Sequence, residues 1–175
     1  LGNGTSLTIR SGGSGQTLVM KDVGGAASAL AGALQAQGGN GAPPPVLYLA
    51  NGAGFAVAAT GSVQGLSGLT VDALGGSWTT GQNIVNAGVV DGGGQLALYG
   101  ANVKGGGALK GNVVVLATFG SANNPVNGNY FLSNSLQLSP SSGALVALTL
   151  NAYGTAPQFL NLKINGNGSV WLPSA

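Results

Sequence analysis

Five cationic side chains (Arg10, Lys21, Lys104, Lys110 and Lys163) and three carboxylates (Asp22, Asp72 and Asp91) carry all the side-chain charge in 175 residues. Charged residues are 5% of the chain, against roughly 25% in ordinary globular proteins. A surface so short of charge has to be covered by Ser, Thr, Asn, Gln, Gly and backbone. A dispersed monomer normally relies on surface charge to stay in solution. The composition therefore favours chains held among neighbours, such as particle shells, fibres and extracellular adhesins.

The same scarcity does not make the chain disordered. Disordered segments combine low hydrophobicity with high charge, whereas 44% of these residues are hydrophobic. Glycine accounts for 34 residues, and each loses more conformational entropy on ordering than any other residue type. Neighbours in an assembly are expected to offset that loss.

Much chemistry is excluded by residue type. There is no His and no Cys, which removes Ser-His-Asp and Cys-His nucleophilic catalysis, disulfides and the usual zinc, copper and iron ligands. The Gly-rich stretches contain neither a phosphate-binding loop nor a dinucleotide fingerprint in its strand-to-helix setting. A glycosidase pair made of Asp72 and Asp91 is conceivable, as is a calcium site at Asp91, but Asp at turns and strand ends is the simpler reading. No enzyme activity, metal or cofactor is expected. No basic patch points to nucleic acid, and no apolar run reaches the ~20 residues of a membrane-spanning helix.

Lys21 to Pro45 reads as the junction of the chain. Asp22 is a suitable N-cap, and Val23, Ala27, Leu30 and Leu34 form one narrow apolar stripe of a helix over Asp22 to Gln37. Gly24, Ser28 and Gly32 make a second face that another backbone can approach closely. Gly38 and Gly39 end the helix, and Pro43 to Pro45 form a stiff spacer. Val23, Gly24, Ala27, Ser28, Leu30, Gly32 and Leu34 are accordingly the candidate oligomer-interface residues. Residues 1–45 are expected to be an arm, helix and Pro-rich linker for assembly, and residues 46–175 a β-rich body.

In that body strand signals recur between turn residues: Val46 to Ala50, Phe55 to Ala59, Leu69 to Asp72, Ile84 to Val90, Gln95 to Tyr99 and Asn112 to Phe119. Asn51 to Gly54 has the length of a hairpin loop. Leu160, Leu162 and Ile164 alternate before a second hairpin turn at Asn165-Gly166 or Asn167-Gly168, which places Trp171 in the core. The expected fold is mainly β, an antiparallel sandwich or jelly-roll-like body with one short N-terminal helix. The alternative is a β-solenoid: the Gly-rich stretch Val103 to Val113 resembles β-helix passenger domains of secreted adhesins, although no fixed period emerges.

Taken whole, the texture resembles virion-surface modules of tailed phages (fibre, spike or head-decoration proteins) and secreted bacterial surface proteins. That resemblance implies a non-enzymatic structural or adhesive subunit on a virion surface or outside a cell. Its partners would be further copies of itself, a trimer being favoured, and other virion or surface proteins. Secreted adhesin, filament subunit and carbohydrate-binding module are the alternatives. Trp78 and Tyr153, each in a polar segment, are the candidate residues for stacking on a cell-surface glycan.

Overall fold

The computed structural model describes residues 1–74 and 82–118, and beyond them the strand backbones 129–132, 137–139, 147–152 and 161–164; side chains are described as far as Leu116. The chain winds in coils, each contributing three short strands. The first coil holds β1 (Ser6–Ser11), β2 (Thr17–Lys21) and β3 (Ser28–Leu30), and the second β4 (Ala33–Gly38), β5 (Val46–Ala50) and β6 (Phe55–Val57). The third holds β7 (Ser62–Gln64), β8 (Leu69–Asp72) and β9 (Ile84–Asn86), and the fourth β10 (Val89–Asp91), β11 (Gln95–Gly100) and β12 (Asn102–Gly105). The fifth holds β13 (Ala108–Lys110), β14 (Val113–Thr118) and β15 (Asn129–Leu132), and the sixth β16 (Gln137–Ser139), β17 (Ala147–Ala152) and β18 (Asn161–Ile164).

Every strand pairs in parallel with its counterparts one coil before and after. This gives three six-stranded sheets: β1-β4-β7-β10-β13-β16, β2-β5-β8-β11-β14-β17 and β3-β6-β9-β12-β15-β18. The architecture is a three-sheet parallel β-solenoid, in which each coil contacts chiefly its neighbours.

Alternation with period two builds the interior. Leu47, Leu69, Leu96 and Val114 stack in one inward column of the second sheet, and Leu49, Val71, Leu98 and Leu116 in the next. Leu34, Val63, Val90 and Leu109 form the column of the first sheet, and Phe55, Ile84 and Val103 that of the third. All are buried, and each such side chain stabilises the fold by ~1.5–3 kcal/mol relative to exposure.

Corners depend on side chains that take over backbone hydrogen bonds. Asp22, Asn51, Asp72, Asn86 and Asp91 each accept, through Oδ1, the N–H of the residue two positions on: Gly24 at 2.9 Å, Ala53 at 2.8 Å, Leu74 at 2.8 Å, Gly88 at 3.1 Å and Gly93 at 2.9 Å. These are Asx turns. Asn51 is 1% exposed, and its Nδ2 lies 2.8 Å from Ser28 Oγ, 2.9 Å from Ala26 O and 3.2 Å from Asp22 Oδ2. It thereby ties the corner of the second coil to that of the first.

Two expectations are overturned. The described residues contain no helix. Where one was expected over Asp22 to Gln37, the chain makes an Asx turn, then β3, then β4. Gly24, Gly25 and Gly32 each weaken a helix by ~1 kcal/mol, and Ala33-Leu-Gln-Ala-Gln37 alternates, placing Leu34 and Ala36 inward. Asp22 still captures a backbone N–H, the property that makes it a good N-cap, but in a turn.

The sheets, moreover, are parallel and do not form an antiparallel sandwich. The segment Asn51 to Gly54 is a corner between the second and third sheets: β5 pairs with β2 and β8, while β6 pairs with β3 and β9. The parallel solenoid that stood as the alternative is compatible with this arrangement. β18, the strand expected to open the last hairpin, pairs in parallel with β15. The turn at 165–168 and Trp171 lie outside the described residues.

The corner after β10 gives a direct test. Gly93 has φ 59°, and a Cβ there would run into the Leu66 carbonyl. A Cβ on neighbouring Gly94 would meet nothing within 4 Å. Gly93→Ala is expected to lose at least ~2 kcal/mol in urea unfolding, and Gly94→Ala well under ~1 kcal/mol.

Candidate functional site

With the interior filled by apolar columns, function falls to the outward side chains, and the three sheets differ there. The outer face of the first sheet carries Thr8, Arg10, Gln35, Gln37, Gln64 and Lys110. That of the third carries Ala29, Ala56, Val85 and Lys104 on strands of three or four residues. The second sheet presents the broadest apolar surface: Val19, Val46, Tyr48, Thr70, Val113 and Val115. Val19 is 61% exposed, and the other five are half-buried. Ala97 also points outward but is only 2% exposed, recessed between larger neighbours.

Tyr48, Asp72 and Tyr99 come together toward the C-terminal ends of the strands on this face. Asp72 is the register partner of Tyr99. The Tyr48 hydroxyl donates to Asp72 Oδ2, while Asp72 Oδ1 accepts the Leu74 N–H. Tyr99 packs on Leu74. The hydrogen bond to Asp72 raises the Tyr48 pKa from 10.0 to about 12; burial and the charge of Asp72 push it the same way. Tyr48 thus stays protonated as a donor across the physiological range.

The other carboxylates serve the corners. Hydrogen bonds from the Gly24 N–H and then the Ser28 hydroxyl lower the Asp22 pKa below its usual value, against a smaller opposing effect of desolvation. Asp91 is buried and holds the Gly93 N–H. Among the described residues no three His, Cys, Asp or Glu side chains come together. Asp72 and Asp91 stand on different sheets, each occupied by its own turn.

The expected interface residues are dispersed. Val23 is 85% exposed on a turn, and Gly24 and Ala27 are exposed beside it. Ser28 and Leu30 belong to β3, and the Ser28 hydroxyl donates to Asp22 Oδ2 at 2.7 Å. Gly32 lies at the corner before β4, whereas Leu34 is a core residue. Leu30 and Leu34 do line an open cavity of about 570 Å³ at the first coil, with Leu7, Met20, Leu49 and Phe55. Trp78 and Tyr153 lie outside the described residues.

Sequence reasoning missed a ladder of asparagines. Asn102, Asn129 and Asn161 are successive register partners in the third sheet, and Asn102 Nδ2 donates to Asn83 Oδ1 at 2.7 Å. The signal is an Asn followed by an apolar strand residue: Asn83-Ile84, Asn102-Val103, Asn129-Tyr130 and Asn161-Leu162. Comparison with protein-family models, curated proteins and solved structures finds no match.

Because the folded-state pKa of Tyr48 lies above its ordinary value, its contribution to stability is complete below pH 10. It is lost as pH rises from 10 through about 12. Alkaline unfolding followed by circular dichroism is expected to show that loss in the wild type and a flatter profile in Tyr48→Phe.

Proposed function

We propose that this chain is a non-enzymatic structural or adhesive subunit of an extracellular or virion-surface assembly, of the phage fibre, spike or head-decoration type, and that it works as a homo-oligomer. The observation that carries the reading is the use made of the carboxylates. The sequence has three, and Asp22, Asp72 and Asp91 are all spent on the chain's own turns. No carboxylate pair is left over, while the outward surfaces are mostly ladders of neutral side chains. Such surfaces suit contact over area and repeated copies, where affinity grows with valency. A secreted adhesin or filament subunit would use the same features.

A second reading, a carbohydrate-binding module, is favoured by the placement of Tyr48 and Tyr99 around Asp72. Aromatic faces beside a carboxylate acceptor suit a sugar ring with its hydroxyls. Glycan-array binding by a chain that sediments as a monomer would favour this second reading over the first.

Sedimentation and native mass measurement test the main reading. The expected result is a species heavier than one 16.8 kDa chain, populated increasingly with concentration. A strictly monomeric chain contradicts it.

A further inference from the structure

We infer that the outer face of the second sheet is where two copies of this chain pair, front to front, about a two-fold axis running along the strands between the third and fourth coils. This rests on the assembly reading above and names its interface.

Among the three outer faces this one combines width with apolar character. It carries Val19, Val46, Tyr48, Val113 and Val115, and its charged side chains among the described residues are Lys21 and Asp72. Asp72 is already hydrogen-bonded by Tyr48 and the Leu74 N–H. The face therefore sets little charge desolvation against association. By contrast the first sheet presents Arg10, Lys110 and a row of glutamines, each of which would lose water.

Size fixes the extent of overlap, and the columns select the axis. Six strands spaced ~4.8 Å apart, with up to six residues at ~3.3 Å each, make a face of roughly 24 by 20 Å. Two such faces in full overlap remove on the order of 1,000 Å² from water, about the least that a specific interface buries. Any offset along the coil axis falls below that, so all six coils must overlap. A two-fold axis parallel to the strands reverses coil order but keeps each residue in its own column. β5 then lies over β14 of the second copy, and β8 over β11.

The columns fit that arrangement. One runs Tyr48, Thr70, Ala97, Val115, so Tyr48 faces Val115 and Thr70 faces the recessed Ala97 of the second copy. The next runs Ala50, Asp72, Tyr99, which sets Asp72 opposite Tyr99. Val46 and Val113 share the first column, since Val46 precedes the pair Leu47–Leu69 and Val113 pairs with Gln95, which precedes the pair Leu96–Leu69. They face one another. No like charges oppose. A single flat face meets one like face, so the geometry points to a two-fold pair in place of a trimer.

The test exploits the opposition of positions 46 and 113. Both residues point outward, so charge at either is compatible with the fold, as circular dichroism would check. Val46→Asp and Val113→Lys are each expected to sediment as monomers. Mixed in equal amounts they should regain the pair, because the acidic side chain of one faces the basic side chain of the other. Gln64→Lys, on the first sheet, should pair like the wild type. Should a charge variant fail to fold, the near-isosteric double variant Val113→Thr, Val115→Thr is expected to weaken pairing about tenfold. An assembled wild type whose variants remain assembled, or variants that stay monomeric when mixed, would overturn this interface and leave the assembly reading standing. A monomeric wild type would overturn both.

Discussion

Parallel hydrogen bonding between successive coils holds this molecule together. Each strand takes its partners from the coils before and after it, so a residue sits about 4.8 Å from its register partners. The inward columns of Leu, Val and Ile, the corner turns and the flat outer faces all follow from that repeat. Asn51 shows how closely the coils are tied: one buried amide holds its own turn through Ala53 and reaches Ser28 and Ala26 in the coil before.

The same repeat explains the lack of charge. On a stacked face every outward side chain has close neighbours in its column, and like charges directly opposite one another destabilise a sheet. A solenoid face thus favours neutral residues or alternating sign. The column through Gln35, Gln64, Asp91 and Lys110 does both, with two neutral glutamines followed by opposite charges. Composition, which first pointed to an assembly, is thus accounted for within one chain by the way its coils stack. The face that remains apolar, Val19 to Val115 on the second sheet, is the part for which stacking alone supplies no reason.

Strands were legible where alternation is strong. Val46-Leu-Tyr-Leu-Ala50, Leu69-Thr-Val-Asp72 and Gln95-Leu-Ala-Leu-Tyr99 announce β5, β8 and β11, because period two is a local property of the chain. Their pairing was not legible, because it depends on residues one coil away and the coils differ in length. Ser6 pairs with Ala33, Ala33 with Ser62, Ser62 with Val89 and Val89 with Ala108, at intervals of 27, 29, 27 and 19 residues. Corner insertions of unequal length hide the period, so neighbouring strands such as β5 and β6 look like a hairpin. The expected helix failed for a related reason: Val23, Ala27, Leu30 and Leu34 match a helical stripe only if the glycines between them are ignored. Tyr48 and Tyr99 gave no sign of sharing a site with Asp72, since only register brings them together.

Spin-label distances along one column of the first sheet report the parallel stack. Thr8, Gln35, Gln64, Asp91, Lys110 and Ser139 are successive register partners on the first sheet. Labels at Thr8 and Lys110 span four intervals, and labels at Thr8 and Ser139 span five. The stack predicts separations of ~19 Å and ~24 Å, differing by the single ~4.8 Å step of one coil. Equal separations, or a second distance shorter than the first, would contradict it.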